Sequence, residues 1–435
     1  MFGAGHDLEK SSTTYVITKD LTPFFFCMQN LTPQNRVHAA NYCAGMVNVP
    51  PYLRHTFFRV LFLQPRYASH STIQQCLLPP AHGMTVQTAS KILLASVLAL
   101  FCWCMPCGAQ TLNMAMTRLA QETGGMTTVF YPTLASEAPI SQGPFRLSWA
   151  EDGKPQRGNG RLVVISHGSG GSPWVHTDLA RALVQRGFFV AVPQHAGDNY
   201  LDPSEPGPVS WKLRPKEVSN AIDRLETDPK LSPLLQLDSV GVFGGSAGGH
   251  TALSLAGGEW SPARFRDHCL THIAEDFSSC VGFTTLLRGS WLDSLKLSLA
   301  KLIIRWRFDD DMPYRYTDKR IRAAVAMVPF AADFSLESLK NPVVPLGLVV
   351  AERDVNQIPK FHVKAIQSAC EPRCQVLARL AEAGHGAMLS PLPPFEPGSI
   401  ADQLLGDPPS FARAKVIPEL HESIADFFVQ KLATQ

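Results

Sequence analysis

One stretch of this sequence restricts the fold more than any other: an apolar run that leads into Gly-x-Ser-x-Gly and then into a helical pattern. Residues 240–243 predict a short buried strand, and residues 251–256 predict a helix. The turn between them is Gly-Gly-Ser-Ala-Gly, with Ser246 at its centre. A strand–turn–helix unit of this kind is typical of a nucleophile elbow, in which a strained backbone exposes the serine hydroxyl above the edge of a parallel sheet. Ser246 is therefore the candidate nucleophile, and the flanking glycines leave room for the neighbouring strand and helix.

The chain on both sides of this unit alternates between predicted strands and predicted helices. Apolar runs predict buried strands at 161–166, 188–192, 323–328, 346–350 and 375–380. Helical patterns occur at 176–186, 214–227 and 412–432. An earlier strand is predicted at 126–132, with 142–149 as its neighbour. This alternation predicts an α/β protein with an α/β-hydrolase fold, in which a mostly parallel central sheet carries helices on both faces.

One segment, at about residues 259–319, interrupts the alternation and is predicted to be a cap-like insert. It contains a leucine-rich stretch at 286–304. Two interpretations of this segment stay open: a cap over the site, or a pair of structural helices packed on the body of the domain. Membrane contact is the less favoured alternative, through a face formed by Trp291, Leu295, Leu299 and Ile303.

Residues 84–109 have the layout of a signal peptide. A short segment with one positive charge precedes an almost entirely apolar run from 92 to 105, and small residues lead up to Ala109. The apolar run is short for a membrane-spanning helix, which needs about 20 residues. Because a signal peptide begins the nascent chain, we expect translation to start at Met84 and residues 1–83 to lie outside the native protein. The predicted mature domain is 110–435, secreted or periplasmic.

The cysteines that follow Ala109 support export. They form two close pairs along the chain, Cys269 with Cys280 and Cys370 with Cys374. An even number of cysteines in an exported chain predicts disulfides, although four cysteines allow three connectivities and this pairing depends on proximity alone. The spacing does not match paired Cys-x-x-Cys zinc knuckles, so no metal site is predicted.

The charge balance argues against one broad class of partner. The formal net charge is +2 and only 17% of the residues are charged. Nucleic-acid-binding domains concentrate much more positive charge on one face. We therefore predict no nucleic-acid partner.

A serine nucleophile needs a base, and the base needs a carboxylate to orient it. In this fold the acid and then the histidine follow the serine along the chain. Asp354 lies just after the predicted strand at 346–350, and His385 lies in a glycine-flanked loop after the last predicted strand. Asp333 is the rival acid because it follows the preceding strand, and Glu352 is a weaker one. Three other histidines compete with His385 less well because none follows the last strand: His250, His176 and His195.

The oxyanion of an acyl-transfer intermediate needs two backbone N–H donors. The first predicted donor is Ala247, directly after the nucleophile. The second is Ser169, in the loop His-Gly-Ser-Gly-Gly after the strand at 161–166, with Gly168 as the alternative. A phosphate-binding role for this loop is disfavoured because it lacks the Gly-Lys-Ser/Thr ending of a P-loop.

These motifs together resemble a known group of proteins over roughly residues 120–432. The segments that carry the resemblance are 129–132, 166–171, 244–249 and 318–323, with the Asp354 and His385 loops. They resemble the exported bacterial α/β-hydrolases labelled predicted dienelactone hydrolases, which are related to platelet-activating-factor acetylhydrolases and to polyester-degrading cutinase-like enzymes. The resemblance implies ester hydrolysis without a metal or organic cofactor. True dienelactone hydrolases use a cysteine where Ser246 stands, and acetylhydrolase-like relatives take their acid after the earlier strand, which keeps Asp333 open.

The sequence therefore predicts an exported serine hydrolase of small-acyl, lipid-like or polyester-like carboxylic esters. The predicted catalytic residues are Ser246, Asp354 and His385, with Ala247 and Ser169 at the oxyanion. The predicted partner is a small-molecule or lipid-like ester, and no cofactor is predicted. A serine peptidase or amidase on the same fold, and a non-catalytic binding protein, are the alternatives.

Overall fold

The computed structural model describes residues 111–120 and 125–433. The predicted signal peptide at 84–109 and the predicted over-extension at 1–83 lie outside these described residues. Among the described residues, no helix is both long enough and apolar enough to cross a membrane.

Ten strands of the described residues form a single mixed sheet. In chain order the strands are β1 (Asn113–Ala120), β2 (Met126–Thr133), β3 (Ala138–Gln142), β4 (Phe145–Glu151), β5 (Leu162–Ser166), β6 (Phe189–Pro193), β7 (Val240–Gly245), β8 (Ile321–Met327), β9 (Leu346–Ala351) and β10 (Cys374–Leu380). Their order across the sheet is β10-β9-β8-β7-β5-β6-β2-β1-β4-β3. The six strands from β10 to β6 are all parallel to their neighbours. Their carboxyl ends therefore meet along one edge of the sheet, which is where parallel sheets carry their sites.

Nine α-helices of the described residues accompany this sheet. They are α1 (Thr177–Gln185), α2 (Pro208–Glu226), α3 (Ala247–Leu255), α4 (Pro262–His272), α5 (Phe277–Val281), α6 (Leu292–Arg307), α7 (Val363–Cys370), α8 (Ile400–Leu405) and α9 (Arg413–Lys431). Side chains on the two faces of the sheet belong to two separate apolar clusters. On β7, Val242 packs in the cluster that includes Leu253 of α3, and Phe243 packs in the cluster that includes Leu183 of α1 and Phe428 of α9. Helices on both faces of a mostly parallel sheet confirm the predicted fold class.

The amino-terminal part of the sheet differs from the prediction. The expectation that 142–149 pairs with 126–132 is wrong, because β1 lies between β2 and β4. β1 was not predicted: its sequence, Asn-Met-Ala-Met-Thr-Arg-Leu-Ala, has few of the β-branched and aromatic residues that favour strands. The predicted strand at 142–149 also spans a hairpin turn, since Gln142 pairs with Phe145 across Gly143, which has a φ of 55°.

One helix begins well before its predicted start, and two others were not predicted. α2 begins at Pro208, six residues before the predicted start, and continues through Pro215. α7 and α8 lie in stretches where no helix was predicted.

The segment at 259–319 contains α4, α5 and α6, and its two ends are joined. The backbone of Trp260 exchanges two hydrogen bonds with Tyr314, at N–O distances of 3.1 and 2.8 Å. Cys269 of α4 and Cys280 of α5 form a disulfide within the same segment. The segment therefore leaves the body of the domain and returns to it at one place, with an internal cross-link of its own.

The second predicted disulfide is also present. It joins Cys370, at the end of α7, to Cys374, at the start of β10. Both predicted cysteine pairings are confirmed.

Candidate active site

Ser246 lies in a sharp turn between β7 and α3. Its φ of 55° and ψ of −118° are unusual for a residue with a side chain, and the helix begins at the next residue, Ala247. Glycine is required on both sides of this turn. A Cβ on Gly244 would lie 1.8 Å from the carbonyl oxygen of Gly248, and a Cβ on Gly248 would lie 1.8 Å from the carbonyl oxygen of Ser166. The predicted strand, strained turn and helix are all present.

Asp354 and His385 are in direct contact. Asp354 follows β9, and His385 begins a short 3₁₀ helix, His385–Met388, after β10. The Nδ1–H of His385 donates to Oδ2 of Asp354 at 2.6 Å, and both side chains are buried. The Oδ1 of Asp354 accepts the backbone N–H groups of Asn356 and Gln357 at 2.9 and 2.8 Å. This carboxylate is therefore fixed on both oxygens and holds the imidazole in one orientation.

The remaining ring nitrogen of His385, Nε2, has no hydrogen-bond partner among the described residues. In a neutral imidazole that donates through Nδ1, Nε2 carries the free lone pair. The hydroxyl of Ser246 accepts a long hydrogen bond of 3.4 Å from the amide of Gln357, and none joins it to Nε2 of His385. In structures without substrate, catalytic hydrogen bonds are often long or unmade.

The histidine loop and the elbow nevertheless pack against each other through Met388. A Cβ on Gly245 would lie 2.9 Å from the sulfur of Met388. A Cβ on Gly168 would lie 3.3 Å from the terminal methyl of Met388 and 3.5 Å from the Cβ of Ser246. Ser246, the His385 loop and the loop after β5 therefore lie together at the carboxyl edge of the sheet.

Asp333, the rival acid, has a different partner. Its Oδ2 accepts from Nε2 of His250 at 2.9 Å, and both side chains are fully buried. The ring of His250 packs against four aromatic side chains, Trp211, Trp260, Phe330 and Phe334. The structure thus brings Asp354, and not Asp333, into contact with His385. Glu352 pairs with Lys364 and Arg379 on the surface instead.

The loop after β5 faces the same cavity as the elbow. Ser169, Ser246 and Ala247 all line it. Among the described residues, no protein group accepts a hydrogen bond from the backbone N–H of Ser169 or of Ala247. Gly168 lies in the same loop, and its carbonyl accepts the N–H of Gly171 at 3.0 Å. Free N–H groups beside the nucleophile are what an oxyanion site requires.

An ion pair that was not predicted from the sequence holds this loop in place. Asp198 and Arg214 are both buried, and the guanidinium Nη2 lies 2.8 Å from Oδ2 of the carboxylate. The other oxygen of Asp198 accepts from the hydroxyl of Ser169 at 2.5 Å and from the N–H of Gly170 at 3.0 Å. Arg214 also donates to the carbonyl of His167 at 2.5 Å. A clamp of this kind fixes the loop conformation with charge-assisted hydrogen bonds.

The competing histidines are placed elsewhere. The Nε2 of His195 lies 2.8 Å from the hydroxyl of Ser166, and its Nδ1 lies 2.7 Å from the carboxylate of Glu217. His176 is buried against Phe243, and neither of its ring nitrogens has a hydrogen-bond partner among the described residues. Neither histidine contacts Asp354, and neither lines the cavity beside Ser246.

A second Ser-His-Asp group joins the 259–319 segment to His362, the residue before α7. His362 Nε2 lies 3.0 Å from Asp276 and 3.1 Å from the hydroxyl of Ser279. The backbone N–H of Ala331 donates to Nδ1 of the same ring, so Nε2 carries the hydrogen. Hydrogen bonds from His268 and His362 lower the pKa of Asp276 to about 2, against its burial, which would raise it. With its Nε2 protonated, His362 has no lone pair there with which to activate Ser279.

The cavity above Ser246 has a volume of about 540 Å³. The body of the domain contributes the elbow, Trp211, Phe330 and Gln357 to its wall. Most of the remaining wall comes from the 259–319 segment, including Phe265, Phe277, Leu299, Ile303 and Phe308. This size is that of a site for a small molecule, and the lining is largely apolar. Among the described residues, no group of three or more His, Cys, Asp or Glu side chains is arranged to hold a metal ion.

Buried neutral histidines predict that the protein loses stability in acid. Burial lowers the pKa of His176 to about 3 and of His421 to about 4, and it holds the pKa values of His167 and His195 well below their ordinary range. Between about pH 6.5 and 4 the unfolded chain binds protons that the folded chain does not, so the free energy of unfolding falls as the pH falls. Each histidine contributes up to about 1.4 kcal/mol per pH unit. Urea denaturation from pH 7.5 to 4.5 measures how the free energy of unfolding changes with pH.

His176→Leu provides the control for this expectation. Because neither ring nitrogen of His176 is hydrogen-bonded among the described residues, an apolar replacement leaves no polar group without its partner. The variant should fold. Its free energy of unfolding should fall less steeply with falling pH than that of wild type, by up to the contribution of one proton. A free energy of unfolding that is flat between pH 6.5 and 4.5 would contradict the expectation.

The order of the parallel strands, the elbow after β7 and the polar loops after β5, β9 and β10 define an α/β-hydrolase fold. No protein-family model and no curated protein matches this sequence. Among solved structures, the chain is similar to a ferulic acid esterase from Streptomyces cinnamoneus, with 17% sequence identity and a TM-score of 0.46. That similarity covers 75% of this chain and 92% of the esterase chain.

Proposed function

We propose that this protein is a serine hydrolase that cleaves carboxylic esters through Ser246, His385 and Asp354. The observation that carries the proposal is the buried hydrogen bond of 2.6 Å between His385 and Asp354, next to a serine held at a φ of 55°. A buried pair of this kind is the base and orienting acid that a serine nucleophile needs. An apolar cavity of about 540 Å³ opens above that serine.

In the proposed reaction, the hydroxyl oxygen of Ser246 attacks the ester carbonyl while Nε2 of His385 accepts its proton. Asp354 stabilises the resulting imidazolium through Nδ1. The N–H groups of Ala247 and Ser169 bind the oxyanion of the tetrahedral intermediate. When the intermediate collapses, His385 returns the proton to the departing alcohol, and the acyl group remains on Ser246. His385 then takes a proton from water, and the resulting hydroxide attacks the acyl carbonyl. When this second intermediate collapses, the bond between the acyl carbon and Ser246 breaks, His385 returns the proton to the Ser246 oxygen, and the carboxylic acid leaves.

In this proposal, substrate binding brings Nε2 of His385 into hydrogen-bond distance of the Ser246 hydroxyl. Gln357 donates to the Ser246 hydroxyl at 3.4 Å, which is a weak contact for an entering substrate to displace. The clamp of Asp198 and Arg214 supports the oxyanion role of Ser169, because it fixes the loop before substrate arrives.

The 259–319 segment acts as a cap in this proposal, because its side chains form most of the cavity wall. The acyl or alcohol part of the ester then lies against Phe265, Leu299 and Ile303, which favours small-acyl, lipid-like or polyester-like substrates. The resemblance to predicted dienelactone hydrolases and acetylhydrolases agrees with this substrate class. The two disulfides support the proposed secreted or periplasmic location, since such bonds persist in oxidising compartments.

Active-site labelling followed by a substrate panel tests the proposed activity. A fluorophosphonate probe should modify one residue, and peptide mass spectrometry should find the adduct on Ser246. p-Nitrophenyl esters of increasing chain length should be hydrolysed, and aminoacyl anilides should not. Efficient cleavage of the anilides would favour a peptidase, and the absence of both labelling and turnover would favour a binding protein.

A further inference from the structure

The helix α6 exposes an unusual number of large apolar side chains. Exposure reaches 83% for Trp291, at the N-cap of the helix, and 81% for Trp306, in its last turn. Between them, five further apolar side chains are between 40% and 64% exposed: Leu292, Leu295, Leu299, Leu302 and Ile303. A continuous apolar patch of this kind on a protein surface marks an interaction site.

These side chains lie on one face of the helix. At about 100° per residue, the seven positions fall within an arc of about 120°. The side chains on the opposite side of the helix point inward: Ile304 is 3% exposed, and Leu297 and Ala300 pack against the core. The helix therefore has two apolar faces: one packs against the core, and the other is exposed to solvent.

Positive charge borders the exposed apolar arc on both sides. Lys301 and Arg305 lie along one edge, and Lys296 and Arg307 lie along the other, by the same helical spacing. Asp293 is the one acidic residue of α6, and it is paired with Lys296. Among the described residues, Lys301, Arg305 and Arg307 form no ion pair. Three aspartates follow the helix, and Asp310 among them is paired with Lys212.

The arrangement of charge distinguishes between possible occupants. A second copy of the chain, packed face to face, would bring cationic edges against cationic edges, which is unfavourable. An anionic lipid surface would bury the apolar arc at the level of the acyl chains and place the cations among the headgroups. Tryptophans at both ends of the helix suit this boundary between water and hydrocarbon.

The apolar arc is also continuous with the cavity. Leu299 and Ile303 are 54% and 49% exposed, and both also line the cavity above Ser246. Any surface to which the exposed face of α6 binds therefore lies beside the cavity.

We propose that the exposed face of α6, formed by Trp291, Leu295, Leu299, Leu302 and Trp306 and bordered by Lys301 and Arg305, docks the protein on an anionic lipid surface. The helix lies in the plane of the interface and does not cross it. This docking does not depend on the chemistry proposed for Ser246, and it goes beyond that chemistry by placing the cavity next to lipid.

Vesicle partitioning of the predicted mature protein, residues 110–435, tests the docking. The protein should bind phosphatidylcholine vesicles that contain phosphatidylglycerol more tightly than vesicles of phosphatidylcholine alone. Leu295→Ser with Leu302→Ser should lower the partition coefficient for both vesicles by about ten-fold or more. Lys301→Gln with Arg305→Gln should lower it about ten-fold for the anionic vesicles only. None of these four side chains lines the cavity.

Brominated lipids locate the contact within the chain. Four of the described tryptophans are buried, and only Trp291 and Trp306 are exposed among them, so bromine in the lipid should quench these two. Trp291→Phe with Trp306→Phe should remove that quenching and retain the binding. This readout distinguishes docking through α6 from any binding by another part of the chain.

Leu201→Ser with Val343→Ser is the matched control, because both side chains are exposed apolar residues outside α6, at 68% and 53%. The control should partition like wild type, and all variants should keep the wild-type melting temperature and hydrolysis of a water-soluble ester. Equal partitioning of wild type and the α6 leucine variant, or no quenching of Trp291 and Trp306, would overturn the docking. A dimer of the wild-type protein in the absence of lipid, seen by light scattering and lost in the leucine variant, would also overturn it. If the wild-type protein docks on vesicles but does not hydrolyse esters, the result would count against the proposed activity alone.

Discussion

Ser246→Ala should lower kcat for ester hydrolysis by about 10⁴ to 10⁶ and abolish fluorophosphonate labelling. The variant removes the one atom that forms the acyl bond and leaves the rest of the site in place. Alanine keeps the Cβ, so the strained turn with its φ of 55° changes little. The hydroxyl itself makes only one hydrogen bond among the described residues, the long one from Gln357. The free energy of unfolding should therefore stay within about 0.5 kcal/mol of the wild-type value.

Ser254→Ala is the matched control for this experiment. Ser254 is also buried, lies on α3, the helix that follows Ser246, and donates to the carbonyl of His250 at 3.0 Å. Its replacement should leave kcat and labelling at wild-type values. Turnover by Ser246→Ala close to that of wild type, in protein purified free of contaminating esterase, would reject Ser246 as the nucleophile.

Asp354→Asn should lower kcat by about 10⁴, whereas Asp333→Asn should leave kcat near the wild-type value. An asparagine at 354 keeps the size of the side chain, but its amide can turn an N–H toward His385. The ring would then carry its hydrogen on Nε2, and Ser246 would face a donor where it needs a base. Steady-state kinetics on one soluble ester compares the two variants directly.

Asp333→Asn should act on stability instead. The hydrogen bond of 2.9 Å between Asp333 and His250 is fully buried among aromatic rings, and weakening it costs about 1 to 3 kcal/mol. Urea denaturation should report that loss while kcat stays unchanged. The opposite pattern, with kcat lost in Asp333→Asn and retained in Asp354→Asn, would assign the acid to the earlier strand.

Residues that are close along the chain were the predictable part of this site. The strand, turn and helix around Ser246 depend on local apolar spacing and on glycine, and both can be read from eleven consecutive residues. The disulfides join cysteines 11 and 4 residues apart, so proximity along the chain was a good guide to their pairing. The positions of Asp354 and His385 were predicted for a different reason: the fold class determines which loops meet at the carboxyl ends of parallel strands.

Which residues distant along the chain contact each other was predictable only in part. Asp333 and Asp354 both follow strands, and only the packing of the sheet places one beside His250 and the other beside His385. The clamp between Asp198 and Arg214 was missed because a buried arginine on a helix has the same sequence pattern as an exposed one. For α6, the spacing of leucines indicated an amphipathic helix, but a period of 3.6 residues does not say which face meets solvent.

The way in which the 259–319 segment joins the domain has a consequence for how such a protein can change over evolutionary time. Trp260 and Tyr314 meet at the base of the segment, and the disulfide between Cys269 and Cys280 lies wholly inside it. Side chains that shape the cavity can therefore vary, and whole segments can be exchanged at this junction, without altering the strands that carry Ser246, Asp354 and His385. In the proposed enzyme, selectivity and reactivity would then be encoded in separable stretches of the gene. A graft of residues 260–314 between related scaffolds, which keeps the histidine at 362 that bonds Asp276 and Ser279, is accordingly the natural unit for redesigning what such a cavity accepts.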